Sequence, residues 1–138
     1  MSQADLNNAP GSSAPVSKIA IWVGWILTIL PALGLGFSAT IKFVKPPQMA
    51  EQFAHLGWPE QHLLGLGILE MACAVLFLIP RTSVLGAILV TGYLGGAVAS
   101  HVRIGEFGVF AQVGLSVVAW LGLYLRDPRV RALVPLRS

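Results

Sequence analysis

The sequence predicts an all-α integral membrane protein, a four-transmembrane-helix antiparallel bundle with a short interfacial helix between spans 1 and 2. Two features of composition predict membrane insertion. Of the 138 residues, 55% are hydrophobic and 11% are charged, whereas a typical soluble domain is roughly 25% charged. The third observation is a set of long uncharged blocks. Helices are expected for them, because backbone groups in lipid must pair internally and these blocks lack the alternation of barrel strands.

The chain divides into a tail and a membrane domain. Residues 1–17 are small and polar with two prolines and no apolar periodicity, so we expect a disordered N-terminal tail ahead of a membrane domain over 18–138. Blocks of about 20 residues reach about 30 Å as helices, which matches the hydrocarbon core. The predicted spans are about 19–41, 62–80, 82–101 and 107–125.

The connections between these spans are short, with one exception. The segment 45–61 contains a proline pair at its start and Gly57 before Pro59, which predicts a short helix between them. Three apolar side chains share one face of that helix: Met49, Phe53 and Leu56. We therefore expect it to lie in the membrane interface over the mouth of the bundle, with Trp58 at the headgroups.

The distribution of basic residues predicts the orientation. Six Lys and Arg fall on the side of the two termini and three on the other, so both termini are expected in the cytoplasm and the protein in the inner (plasma) membrane. The basic C-terminal segment 126–138 is expected on anionic headgroups, with a cytoplasmic docking partner as the alternative. The net charge of +3 does not indicate nucleic-acid binding, because the few basic residues lie between apolar blocks.

Small residues recur every four positions in several blocks. Gly92, Gly96 and Ser100 form one such stripe on the third span. In lipid, close approach at small residues is the main source of helix packing. The stripe is thus expected to pack within the bundle, with a homodimer seam as the alternative.

Glu70 is the one charged residue inside a predicted span. It lies about 12 Å below the outer end of its helix, and other spans carry polar groups at similar depths. Because a lipid-facing carboxylate is costly, we expect Glu70 to point into the bundle. There it is either a proton or ligand site or a neutral acid that fixes helix register, and it ionises if Lys42 or Arg103 reaches it. The candidate site comprises Glu70, Tyr93, Gln112, Ser116, His101, Arg103 and Lys42.

No metal site is predicted. His55, His62 and His101 have no diagnostic spacing and lie near the ends of the spans. Cys73 is the single cysteine, which excludes an intrachain disulfide and a dithiol redox pair. We expect Cys73 to be a small buried side chain.

Three stretches carry a family resemblance: FSATIKFVKPPQMAEQFAHLGWP, GILEMACAVLFLIPRTSVLGAILVTGYLGGAVASHVRIG and WLGLYLRDPRVRALVPLR. They resemble the DoxX-like membrane proteins from about Ile19 to the C-terminus, most specifically around Lys42, at Glu70 and over 95–103. That family takes its name from a small membrane subunit associated with a thiosulfate:quinone oxidoreductase. The resemblance implies a small subunit or accessory protein of a quinone-linked redox complex, with quinone as ligand and a redox partner protein. It transfers no catalytic residue, so activity of the chain on its own is not expected.

Three functions remain open from the sequence. The first is this quinone-linked subunit, with a polar pocket in the outer half of the bundle. The second is a ligand-free membrane scaffold. The third is a small transporter coupled to protons through Glu70, which would need a dimer because four spans make a thin wall.

Overall fold

The structure is a computed structural model that describes residues 2–4 and 16–133. The disordered tail expected over 1–17 therefore lies mostly outside the described residues, as does the end of the basic C-terminal segment.

The described part of the membrane domain is helical. Three helical segments are long and apolar enough to cross a membrane: Lys18–Val44, Glu60–Leu78, which consists of a 3-10 turn and the helix that follows it, and Ser83–Arg103. Phe110–Arg126 is a shorter apolar helix of 17 residues. The chain is thus a multi-pass membrane protein. The elements are α1 (Lys18–Val44), α2 (Pro47–His55), a 3-10 turn (Glu60–His62), α3 (Leu63–Leu78), α4 (Ser83–Arg103), α5 (Phe110–Arg126) and α6 (Pro128–Leu133).

Local sequence signals set most of these boundaries. Ser17 accepts a hydrogen bond from the Ala20 N–H and caps α1. Lys45, at φ 52°, ends that helix, and α2 begins directly after it at the second residue of the proline pair. Gly57, at φ 78°, follows the end of α2, as its position in the sequence predicts.

Several boundaries differ from the prediction: α1 continues to Val44 instead of residue 41, and α3 ends at Leu78 instead of residue 80. Helix α4 continues to Arg103, and α5 begins at Phe110 instead of residue 107. Gly105, at φ 82°, makes the turn, and Gly108 follows within three residues. Two glycines so close together disfavour helix, which explains the later start of α5.

The four long helices pack in a ring. Helix α1 contacts α3 and α5, and α4 also contacts α3 and α5. The packing is tightest at two glycines. A Cβ at Gly24 would lie 2.8 Å from the Gly122 carbonyl oxygen, and one at Gly86 would lie 2.3 Å from the Phe77 backbone nitrogen. Small residues thus permit close helix contact here, as expected for packing in lipid.

The helix ends near the chain termini are joined through Arg126. Its Nε donates to Thr28 Oγ1 at 3.0 Å, and its guanidinium lies 4.3 Å from the ring centroid of Trp25. Asp127, which follows, is buried and binds Arg129 through both backbone and side chain. This cluster fixes the end of the bundle opposite to the cavity described below.

Candidate functional site

The candidate site is a cavity of about 990 Å³ between α2 and the long helices. Apolar side chains from α2, α3 and α4 form most of its wall. Polar side chains reach it from all four long helices: Ser38, Lys42, Glu70, Tyr93, His101 and Gln112. The structure thus brings together five of the seven site residues expected from the sequence, all except Ser116 and Arg103.

The polar end of the cavity contains a buried ion pair. Lys42 Nζ donates to Glu70 Oε2 at 2.7 Å, and the two side chains are 7% and 3% exposed. The same ammonium donates to Ser38 Oγ at 2.8 Å and lies 6.0 Å from the centroid of the Phe53 ring. Of the alternatives for Glu70, the structure has the one in which Lys42 reaches it. An ion pair of this kind persists in a low-dielectric site because further hydrogen bonds satisfy the charges.

Tyr93 and Gln112 extend this polar region. The Tyr93 hydroxyl interacts with the Glu70 carboxylate. Gln112 Oε1 is buried and has no hydrogen-bond partner among the described residues. A buried acceptor without a partner is uncommon in folded proteins. The residue itself belongs to the wall of the cavity.

The remaining candidate residues have different positions. The ring Nδ1 of His101, which lines the cavity, lies 2.8 Å from the Ala97 carbonyl oxygen. Ser116 donates to the Gln112 carbonyl in its own helix. Arg103 donates to the Leu56 carbonyl after α2, so it holds the loop instead of reaching Glu70.

The stripe of small residues on α4 is not packed against another helix at Gly92 and Gly96. No heavy atom lies within 4 Å of a Cβ placed at Gly92 or Gly96, and both residues line the cavity. The contact expected between this stripe and another helix of the bundle is therefore not formed at these two positions. The homodimer seam stays a prediction.

Helix α2 forms a roof over the cavity. It has no buried residue, yet Met49, Phe53 and Leu56 line the cavity, as their shared face predicts. Side-chain bonds tie the roof to α4 and the loop after it. Trp58 Nε1 donates to Ser100 Oγ at 3.1 Å, and His55 Nε2 lies 2.8 Å from Glu106 Oε1.

A protein-family model described as the DoxX-like family matches residues 26–123, more than half of the chain. The chain belongs to the DoxX-like family. No curated protein and no solved structure matches it. The family match confirms the resemblance drawn from the sequence, and the matched segment of this DoxX-like protein includes every polar residue that lines the cavity.

Sequence reasoning missed two parts of the site. Trp58 was expected at the headgroups, and its bond to Ser100 across the cavity rim had no sequence signal because the residues are 42 positions apart. A smaller groove of about 510 Å³ lies beside this bond and is lined by Trp58, His62 and Arg103 among others. Among the described residues, no group of three His, Cys, Asp or Glu side chains is placed to hold a metal ion.

Proposed function

We propose that this DoxX-like protein is a small membrane subunit that binds a quinone-type ligand in the cavity beneath α2 and serves a quinone-linked redox complex. One observation carries the proposal: a large, mostly apolar cavity contains a compact polar end built around the Lys42–Glu70 ion pair. Ligand sites are typically apolar with a few polar groups that orient the ligand.

The shape and chemistry of the wall support a ring with an apolar tail. An apolar ring would find flat apolar surfaces on the aromatic side chains of Phe53 and Trp58 and on the aliphatic side chains of Leu66 and Leu69. Gly92 and Gly96, without side chains, leave the α4 side open for a tail. The oxygens on the quinone ring would lie among the polar groups at the polar end of the cavity, away from the tail.

The proposed arrangement in the bilayer is a four-span antiparallel bundle. Helix α5, at 17 residues, reaches about 26 Å, which is close to the thickness of the hydrocarbon core. The loops at 79–82 and 104–109 are short. The excess of basic residues near the chain termini supports cytoplasmic termini in the inner (plasma) membrane, which would put α2 and the cavity on the outer side.

Electrons would come from a partner. A quinone carries the redox chemistry itself, while the protein supplies binding, orientation and electrostatics. We accordingly propose that a separate redox protein exchanges electrons with the ligand, and that this chain holds the ligand in place.

Tryptophan fluorescence offers a direct test, since quinones quench tryptophan and Trp58 alone of the four tryptophans lines the cavity. Full-length protein in lipid nanodiscs is titrated with a short-chain benzoquinone, in parallel with Trp58→Phe and Trp120→Phe. Saturable quenching is expected in the wild type and in Trp120→Phe, and its loss is expected in Trp58→Phe.

The two alternatives predict other outcomes, one in this titration and one in a flux assay. A ligand-free scaffold predicts linear, unsaturable quenching in every variant, which would overturn the proposal. A proton-coupled transporter predicts proton flux into proteoliposomes that Glu70→Gln abolishes, with no need for a quinone. Saturable binding without such flux would favour the quinone-linked subunit.

A further inference from the structure

The wall of the cavity between α3 and α4 consists of apolar side chains and glycines that other residues only partly cover. We propose that the ligand enters from the bilayer through a crevice between these two helices, and that its apolar chain stays in the crevice when it is bound. The site then takes a ring-and-chain molecule dissolved in the membrane. This inference rests on the proposed function and specifies the class of ligand and its route.

Helices α3 and α4 are in contact at one end and leave a space farther along. Close to the short loop that joins them, a Cβ at Gly86 would lie 2.3 Å from the Phe77 backbone nitrogen. Farther from the loop, Leu69 and Gly92 both line the cavity, and no atom of another described helix lies within 4 Å of a Cβ at Gly92. The two helices therefore form a crevice that is closed next to the loop and continuous with the cavity.

Apolar side chains along this crevice are exposed although they line the cavity. Leu69 on α3 is 48% exposed, and Ile88 and Leu89 on α4 are 54% and 37% exposed. By contrast, Lys42 and Glu70 at the polar end are 5% and 2% exposed. The polar end is thus enclosed by protein, whereas the crevice is open.

The exposed side chains lie at the depth of the hydrocarbon core in the proposed bilayer arrangement. Leu69 is six residues into α3, about 9 Å from its outer end. Leu89 is 14 residues before Arg103, about 21 Å from the outer end of α4. Both positions fall within a core about 30 Å thick. The crevice therefore meets acyl chains, and an apolar group can occupy it without the cost of burying polar atoms.

The outer end of the cavity is a less direct route. Helix α2 covers it, and two hydrogen bonds hold the end of this roof, one from Trp58 to Ser100 and one from Arg103 to the Leu56 carbonyl. A ligand that came from water would have to break such contacts. A ligand that came from the lipid would meet exposed apolar side chains and Gly92, which has no side chain to displace.

The first test compares two ligands with the same benzoquinone ring, one with a methyl group and one with a decyl chain. Gly92→Leu places a side chain in the crevice. Gly95→Leu is the matched control, because its Cβ position is equally open but the residue does not line the cavity. Saturable quenching of Trp58 in nanodiscs gives the affinity of each ligand relative to its concentration in the lipid.

The expected result depends on the chain. Steric overlap in Gly92→Leu should weaken binding of the decyl ligand by about tenfold or more. Binding of the methyl ligand, which does not reach into the crevice, should change by less than about threefold. Gly95→Leu should leave both affinities unchanged.

The rate of binding tests the route. In stopped-flow quenching with the methyl ligand, Gly92→Leu should slow association severalfold and dissociation by the same factor, because a narrower entrance affects both directions. Arg103→Met, which removes a hydrogen bond of the roof, should leave the association rate unchanged. Faster association in Arg103→Met, with no change in Gly92→Leu, would show entry under α2 and overturn the route through the crevice.

Labelling of the wild type keeps the inference testable if Gly92→Leu does not fold. A decyl ligand with a diazirine at the end of its chain is expected to label 66–73 and 85–92, and excess unlabelled decyl ligand should remove this label. Label confined to 47–58 would overturn the crevice as the site of the chain. Label at 66–73 and 85–92 that the competitor does not remove would also overturn it, since any acyl chain or a second copy over α4 would give that result.

The outcomes separate the two levels of the proposal. Saturable binding of both ligands, with equal effects of Gly92→Leu and Gly95→Leu on the decyl ligand, would overturn the crevice and leave the quinone-type site standing. Saturable binding of neither ligand to the wild type would overturn the proposed function, and this inference with it.

Discussion

Lys42 Nζ donates to Glu70 Oε2 at 2.7 Å, in a buried ion pair that joins α1 to α3 beside the cavity. This ion pair has two roles. It is a packing element, since each charge would be unsatisfied without the other, and it supplies most of the charge at the polar end of the cavity.

Removal of one partner should destabilise the protein. Lys42→Met or Glu70→Gln leaves a buried polar group unpaired, and we expect a loss of about 3–5 kcal/mol for the lysine variant. The double variant Lys42→Met/Glu70→Leu should recover much of this loss, because no charge remains uncompensated. Unfolding in mild detergent measures each variant against Lys18→Met, a change at an exposed lysine. Single variants as stable as Lys18→Met would show that the pair does not stabilise the bundle.

Helix packing should depend on Gly86. A Cβ there would lie 2.3 Å from the Phe77 backbone nitrogen, so Gly86→Ala must push α3 and α4 apart, at a cost of about 1–3 kcal/mol. Gly95→Ala is the matched control, since nothing lies within 4 Å of its Cβ position. It should be neutral or stabilise by up to about 1 kcal/mol through helix propensity. Equal effects of the two variants on thermal unfolding would contradict this packing.

Acid stability should depend on Asp127. Its burial alone would raise the pKa of this carboxyl, but the hydrogen bonds and charge of Arg129 outweigh burial and hold the pKa below its usual range. The unfolded chain therefore takes up the proton at higher pH than the folded one. The contribution of Asp127 to stability is present above about pH 4, the ordinary carboxyl pKa, and is lost as the pH falls through the lower folded value.

Asp127→Asn isolates this effect, because the amide oxygen can still accept the bond from the Arg129 N–H at 2.9 Å. Unfolding measured between pH 3 and pH 7 should show a smaller loss of stability towards acid in Asp127→Asn than in the wild type. Parallel curves for the two proteins would mean that Asp127 does not contribute.

The roof of the cavity should loosen when Arg103 is replaced. Helix α2 has no buried residue, and the Arg103 guanidinium donates to the Leu56 carbonyl at its end. Loss of a hydrogen bond from a charged donor predicts amide exchange about tenfold faster over 47–62 in Arg103→Met. Arg81→Met, an exposed arginine in the loop between α3 and α4, serves as control. Unchanged exchange over 47–62 would show that Arg103 does not hold the roof.

Much of this architecture could be predicted from the sequence. Long uncharged blocks identified the membrane helices, and the proline pair with Gly57 delimited α2, because these signals are local. The depth of Glu70 within its helix indicated that it should meet polar groups from other spans, and Lys42, Tyr93 and Gln112 do line a common cavity with it.

Other features depend on relationships that sequence spacing does not encode. Lys42 was one of two candidates to reach Glu70, and the outcome depends on how α1 packs against α3. The stripe at Gly92 and Gly96 has the same pattern as the packing contact at Gly24, yet it faces the cavity, because the direction of a helix face is set by its neighbours. The Trp58–Ser100 hydrogen bond likewise depends on the position of α2 over the bundle.

The most direct test of the ligand cavity is photo-crosslinking in nanodiscs with an azido-benzoquinone, followed by peptide mapping with and without excess unlabelled quinone. The proposed function predicts labelling within 47–58 and 88–101 that the competitor removes, and weaker labelling in Lys42→Met. Labelling spread over lipid-facing residues such as Ile19, Phe37 and Val117, unchanged by competitor, would contradict a quinone site in this cavity.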